Sequence, residues 1–166
     1  MLPPAVRILA VEEAEPGFHA RFSARAKAYE YRIVNAAFVS PFINRFAWHL
    51  PVPLDVDAMR GASTCLVGTH DFAAFQGTGA VVSSTRRTIY TLEWESGDSH
   101  RKPLVLRIDG SGFLRHMVRN IVGTLVEVGA GRWPVGWVAE VLESRDRRQA
   151  GTTAPALGLF LMRVIY

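Results

Sequence analysis

The order of apolar patterns along these 166 residues predicts an α+β fold: an antiparallel sheet with helices on one face and the other face free. Two observations carry this. From Lys27 onward, strand-like and helix-like stretches follow each other as β-α-β-β-α-(α)-β, the ferredoxin-like split βαβ arrangement. One stretch, Gly110-Ser-Gly-Phe-Leu-Arg-His-Met-Val-Arg-Asn-Ile-Val-Gly-Thr-Leu-Val-Glu-Val-Gly129, has the periodicity of a long core helix. The length suits one domain over 1–166, with 1–26 as a lead-in strand and connector and 27–166 as the core.

Hydrophobic residues make up 49% of the chain and charged residues 20%, so a core can form and disorder is excluded. The net charge of +4 is compatible with a polyanionic partner. The one cysteine, Cys65, excludes a disulfide framework and points to a reducing, cytoplasmic setting, with the thiol in a structural role. No run has the apolar length of a membrane helix. The first residues lack a signal-peptide pattern.

In chain order, residues 6–11 read as a short strand followed by an acidic turn. Residues 18–34 are too long for one ordinary strand, so a bend near Ser23 is expected, with the strand proper over 27–34. If extended, His19, Arg21, Ser23, Arg25, Lys27, Tyr29 and Tyr31 share one face. Cations followed by aromatic rings suit RNA, since cations track phosphates and rings stack bases. A polar sheet face edged by two tyrosines is the competing reading. Lys27, Tyr29 and Tyr31 are expected on the free face of the sheet.

Residues 35–53 read as a loop pinned by Phe46 and Trp48. Asp55 is placed to cap a helix over 56–67, ended by Gly68, with Met59, Ala62 and Leu66 inward. His70 and Asp71 open an aromatic turn, as a cap more than as an acid–base pair. Residues 76–84 are Gly-bearing and expected to be mobile. Strands over 89–95 and 104–109 flank a polar hairpin loop at 96–103. Pro134 suits the first turn of a second helix, whose apolar face is Trp137, Val138, Val141 and Leu142. A charged connector, 144–151, leads to a last strand over 159–165.

The long helix puts Phe113, Leu114, Met117, Val118, Ile121, Val122, Leu125 and Val126 on one stripe. Arg115, His116, Arg119 and Asn120 fall on the other side. Arg115 and Arg119 are neighbours of like charge, in the half of the helix where the macrodipole favours anions. A negatively charged partner over that face would relieve both. A solvated polar face is the alternative. Gly123 costs about 1 kcal/mol against Ala in mid-helix, so close packing of another backbone is expected there.

P-loop and Rossmann glycine patterns, metal-ligand Cys/His spacing, the Gly-x-Ser-x-Gly elbow and the aromatic signature of RRM domains are all absent. Several runs, in order, do resemble one family. They are Phe18-His-Ala-Arg-Phe-Ser-Ala with Ala28-Tyr-Glu-Tyr31, Thr69-His-Asp-Phe-Ala-Ala-Phe75, Arg87-Thr-Ile89, Gly112-Phe-Leu-Arg-His-Met-Val-Arg-Asn-Ile-Val-Gly123 and Thr153-Ala-Pro-Ala-Leu-Gly-Leu159. These are similar to the tRNA pseudouridine synthase A (TruA) family, across nearly the whole chain.

The resemblance implies isomerisation of uridine to pseudouridine in the tRNA anticodon stem-loop, without cofactor or metal, by a homodimer. It implies that Tyr29 stacks on the target base and handles the C5 proton. Arg119 pairs with the nucleophilic carboxylate, and Leu157, Gly158 and Leu159 line the uracil pocket. The family's nucleophile is an Asp in a Gly-Arg-Thr-Asp-Ala-Gly-Val-His type motif, which this sequence lacks. The chain is therefore expected to correspond to the C-terminal half, with the Asp supplied by a preceding N-terminal domain, and to be inactive alone. Arg21, Arg25, Lys27, Arg115 and His116 are expected RNA contacts. A non-catalytic RNA-binding module of the same fold is the alternative function.

Overall fold

The computed structural model describes residues 2–79, 82–97 and 102–166. The centre of the sheet is β1 (Ala26–Asn35). One edge of β1 pairs antiparallel with β5 (Leu104–Gly110), which pairs antiparallel with β4 (Arg86–Glu95), and β4 with β3 (Gly68–Asp71). The other edge of β1 is shared end to end. β6 (Leu159–Ile165) takes Ala26 to Tyr31 antiparallel, and the short β2 (Trp48–Leu50) takes Ile33 to Asn35 in parallel. Three helices, α1 (Val56–Ser63), α2 (Met117–Gly129) and α3 (Trp137–Ser144), pack on the sheet. Each crossover skips one strand: β5 lies between β1 and β4, and β1 lies between β5 and β6. That is the expected split βαβ connectivity, with β2 and β3 added to it.

Register explains which face is covered. Tyr29, Tyr31 and Ile33 stand opposite Ile108, Leu106 and Leu104. Side chains alternate along a strand, so all six share one face. Tyr31, Ile33, Leu106 and Ile108 are fully buried there with Met117, Ile121 and Leu125 of α2 and Val138 and Val141 of α3. Each such side chain contributes roughly 1.5–3 kcal/mol of burial. Tyr29 and Tyr31 are therefore on the helix-covered side, contrary to the expected free face. Their period of two is real. Its apolar half outweighed the basic half in choosing the side.

The opposite face carries Glu30, Arg32, Arg107 and Glu95. Arg107 bonds Glu30 at 3.0 Å and Glu95 at 2.9 Å, and Arg32 bonds Glu30 at 3.1 Å. Partial burial raises the Glu30 pKa, but the hydrogen bonds from Arg107 and Arg32 outweigh it and hold the carboxyl below its ordinary range. Arg32 also lies 4.1 Å over the Phe160 ring. This face has already neutralised its own charge.

Several element expectations match. Asp55 caps α1, accepting from the Ala58 amide at 2.9 Å, and Met59, Ala62 and Leu66 are buried; such a cap contributes about 1 kcal/mol. α1 ends at Ser63 and a single 3₁₀ turn, Thr64–Leu66, continues it. The chain bends at Ser23. The apolar face of α3 is buried as expected, although Pro134 lies in the turn before it.

Others do not match. Residues 2–25 hold no strand, and Ile8, Leu9 and Val11 are exposed, because no neighbouring strand supplies hydrogen bonds to residues 6–11. The loop at 35–53 contains β2; Trp48 packs on the core but Phe46 is exposed. Parts of the Gly-bearing stretch 76–84 and of the hairpin loop 96–103 lie outside the described residues.

The largest correction concerns α2. It begins at Met117, not near Phe113, and His116 caps it in a left-handed conformation with φ of 58°. Arg115 and His116 lie in the turn ahead of the helix. Asn120, expected on the polar side, is fully buried. Gly123 behaves as expected: a Cβ there would stand 1.7 Å from the Thr152 carbonyl oxygen.

Candidate active site

Tyr29 and Arg119 line the same cavity, of about 200 Å³, with Phe113, Leu114, His116, Met117, Val118, Ala156 and Leu159. Three elements meet there: the middle of β1, the first turn of α2 with the turn preceding it, and the start of β6. Phe113 stands edge-on to Tyr29, with ring centroids 5.2 Å apart. Arg119 donates through Nε to the Ala154 carbonyl at 2.6 Å, and the Ala154 amide donates to the Arg119 carbonyl at 3.1 Å. Its Nη groups form no further hydrogen bond among the described residues.

Charge in the cavity is one-sided. Among the described residues no carboxylate lines it, and the N-terminus of α2 adds partial positive charge to Arg119 and His116. Burial and the charges of Arg119 and Arg115 together depress the His116 pKa. Burial pushes the Tyr29 phenol up, so it is protonated at neutral pH. Tyr31 is raised more strongly by burial, against the opposing field of Arg119, and donates to the Pro155 carbonyl at 2.6 Å. The site therefore offers a neutral ring for a planar base, and the open Nη edge of a guanidinium beside a helix N-terminus for an anion.

A second, more open cavity of about 460 Å³ shares Phe113 with the first. It is lined by Arg21, Phe22, Ala24, Lys27, Arg86, Arg87, Ser111 and Gly112. None of its four cations forms an ion pair among the described residues, although the charge of Arg86 also reaches Asp71. Phe22 is 75% exposed.

The expected site residues thus divide. Tyr29, Arg119, Leu159 and His116 meet at the cavity, and Arg21 and Lys27 at the basic groove. Arg115 is exposed and reaches the Thr78 carbonyl at 3.1 Å. Arg25 lines neither cavity; its amide bonds the Ile165 carbonyl at 2.7 Å. Leu157 is 44% exposed and outside the cavity lining. Gly158 is buried against β1, where a Cβ would stand 2.7 Å from the Arg32 carbonyl oxygen.

Sequence reasoning missed Phe22, Arg86, Arg87, Phe113 and Ala156 as site residues. The Arg86-Arg87 doublet at the start of a strand was the available signal. His70 and Asp71 border a separate cavity of about 380 Å³. There His70 bonds the Val67 carbonyl, and Asp71 accepts from the Thr85 hydroxyl and the Ala73 amide, so both serve turns.

Together these features define a class: an α+β fold holding an aromatic, arginine-bearing pocket that shares Phe113 with a cationic groove. Residues 62–166 match the family described as tRNA pseudouridine synthase. The chain is 41% identical over 166 residues to tRNA pseudouridine synthase A of Thermoanaerobacter sp. (strain X514), covering 100% of this chain and 67% of that protein. It is 42% identical to tRNA pseudouridine synthase A of Bacillus pumilus (strain SAFR-032), covering 100% and 66%. It is 44% identical over 168 residues to tRNA pseudouridine synthase A of Myxococcus xanthus, covering 100% and 62%. The chain belongs to the tRNA pseudouridine synthase family, and it spans about two thirds of the length of these curated relatives.

Proposed function

We propose that this chain forms the uridine-holding side of a tRNA pseudouridine synthase that isomerises uridine in the anticodon stem-loop. The observation that carries the reading is the convergence of Tyr29 and Arg119 on one cavity that no carboxylate among the described residues lines. The extruded uracil stacks on Tyr29, which returns roughly 1–3 kcal/mol of the unstacking cost. Leu159, Ala156 and Phe113 shield it from water. The phosphate backbone follows the groove of Arg21, Lys27, Arg86 and Arg87, and His116 and Arg115 stand at its approach.

Isomerisation breaks the bond from N1 to C1′ and forms one from C5 to C1′, while C5 loses a proton and N1 gains one. The nucleophile is an aspartate from a preceding domain of the same enzyme, seated against Arg119. A guanidinium adjacent to a carboxyl group lowers its pKa by roughly 1–3 units and keeps it ionised. Tyr29 is protonated at neutral pH, so it takes up the C5 proton only as its own hydroxyl proton leaves.

Tritium release from C5-tritiated tRNA tests the reading. The chain alone is expected to release none. Co-expression with the Asp-bearing N-terminal segment of a relative restores release, and Arg119→Met in that pair lowers it by about 10²-fold or more. Release by the chain alone would refute the external carboxylate. Salt-sensitive tRNA binding without restored release would favour a non-catalytic RNA-binding module. The functional enzyme is proposed to be a homodimer.

A further inference from the structure

We propose that Arg147, acting with Asn120 and Thr153, is a latch that fixes the direction of the Arg119 guanidinium. Arg147 is then a positioning residue of the site, although it does not line the cavity. Asn120 follows Arg119 on α2 and points the other way, into the interior. Its Nδ2 donates to the Phe75 carbonyl at 2.8 Å. Its Oδ1 accepts from the Thr153 hydroxyl at 2.6 Å and from Arg147 Nη2 at 3.2 Å. Arg147 Nη1 donates to the carbonyls of Ala150 and Gly151, at 3.2 Å and 2.9 Å, and its Nη2 reaches Thr153 Oγ1 at 3.1 Å.

One guanidinium therefore grips a chain segment, 150–153, at three places and ties it to α2. No carboxylate pairs with Arg147 among the described residues, and burial depresses its pKa. A partly buried cation bonded only to neutral oxygens is an expensive way to hold a loop, so its placement calls for a reason beyond ion pairing. The segment it holds lies directly on the helix, with Thr152 over Gly123 and Gly151 over Thr124. The next residue, Ala154, is the one bonded in both directions to Arg119, and Pro155 receives the Tyr31 hydroxyl. The carbonyl that aims Arg119 thus follows directly on a segment that the Arg147 guanidinium holds to α2.

The importance of Arg119 to a substrate rests on the reading above, but the latch does not. Both can be tested on the ¹⁵N-labelled full chain by NMR, reading solvent exchange of the Arg119 Nε–H and the Ala154 amide. In Arg147→Met both are expected to exchange at least about tenfold faster, while paired amides of β4 and β5 stay within about twofold. If Arg147→Met does not fold, Thr153→Val removes an exposed hydroxyl and is expected to speed the same two protons about threefold. Unchanged exchange at Arg119 and Ala154 in the folded variant overturns the latch. So does an equal rise at every amide, which would mean general destabilisation. Faster exchange at these two sites, with no response of Arg119 to added anticodon stem-loop RNA, supports the latch and counts against the uridine reading.

Discussion

Arg119 illustrates how one residue acquires a chemical role from its surroundings. Its Nε is taken up by Ala154, so only the Nη edge remains for a partner. Its charge reaches His116 and Tyr31 and works against protonation of the one and for ionisation of the other. The His116 case gives a pH prediction. Its pKa is depressed in the folded chain, first by burial and then by Arg119 and Arg115. At high pH the ring is neutral in both folded and unfolded states and contributes nothing. As pH falls through the ordinary histidine value the unfolded chain binds the proton first, so stability declines. NMR titration of the His116 ring should give a value below that of an exposed histidine. Arg115→Gln should move it upward; no movement would remove that charge as a cause.

At this scale the sequence was read unevenly. Resemblance singles out Tyr29, Arg119 and Leu159, and the three line one cavity. From sequence, Asn120 belongs on the polar side, because a polar residue beside two arginines looks solvated. In the structure, its burial is compensated by Phe75, Thr153 and Arg147, partners at 27 to 45 residues' separation that no local pattern reveals.

Among the elements, α2 and the segment before β6 depend on each other. Gly123 lets the Thr152 carbonyl approach the helix backbone, and a methyl there would stand 1.7 Å from it. Ala is favoured over Gly in a helix by about 1 kcal/mol, but this contact is backbone on backbone and cannot be relieved by turning a side chain. Gly123→Ala is therefore expected to lose about 1–3 kcal/mol net, measured by urea unfolding. A gain in stability would show that the segment moves aside freely. Periodicity located α1, α2, α3, β1, β4, β5 and β6. It failed at β2 and β3, whose three and four residues are too short to show a period, so that Gly68 read as a helix end and His70 and Asp71 as a turn, and at residues 6–11, where a strand-like pattern has no strand beside it. It also started α2 early, because Phe113 and Leu114 are apolar for the sake of the cavity and the core.

Across the whole molecule the two sides of the sheet handle charge differently. The exposed face pairs Glu30 with Arg32 and Arg107, and Arg163 lies 3.8 Å from Asp109. The groove beside Phe113 gathers Arg21, Lys27, Arg86 and Arg87, which form no ion pair among the described residues, although the charge of Arg86 reaches Asp71. Net charge alone did not disclose that separation, since both sets count equally toward +4. If phosphates lie in the groove, the dependence of tRNA affinity on log salt should flatten by roughly 0.7 per contact removed. Arg86→Gln with Arg87→Gln should therefore weaken binding and lower the slope by about 1–1.5, whereas Arg163→Gln should leave it alone. An equal effect from Arg163→Gln would move the RNA to the other face.

The most direct measurement is chemical-shift mapping of the labelled chain with a uridine-containing anticodon stem-loop RNA. Shifts should concentrate at Tyr29, Phe113, Arg119 and Leu159 and extend along Arg21, Lys27, Arg86 and Arg87. Shifts centred on Glu30, Arg32 and Arg107, with Tyr29 and Arg119 unmoved, would contradict a uridine pocket between β1 and α2.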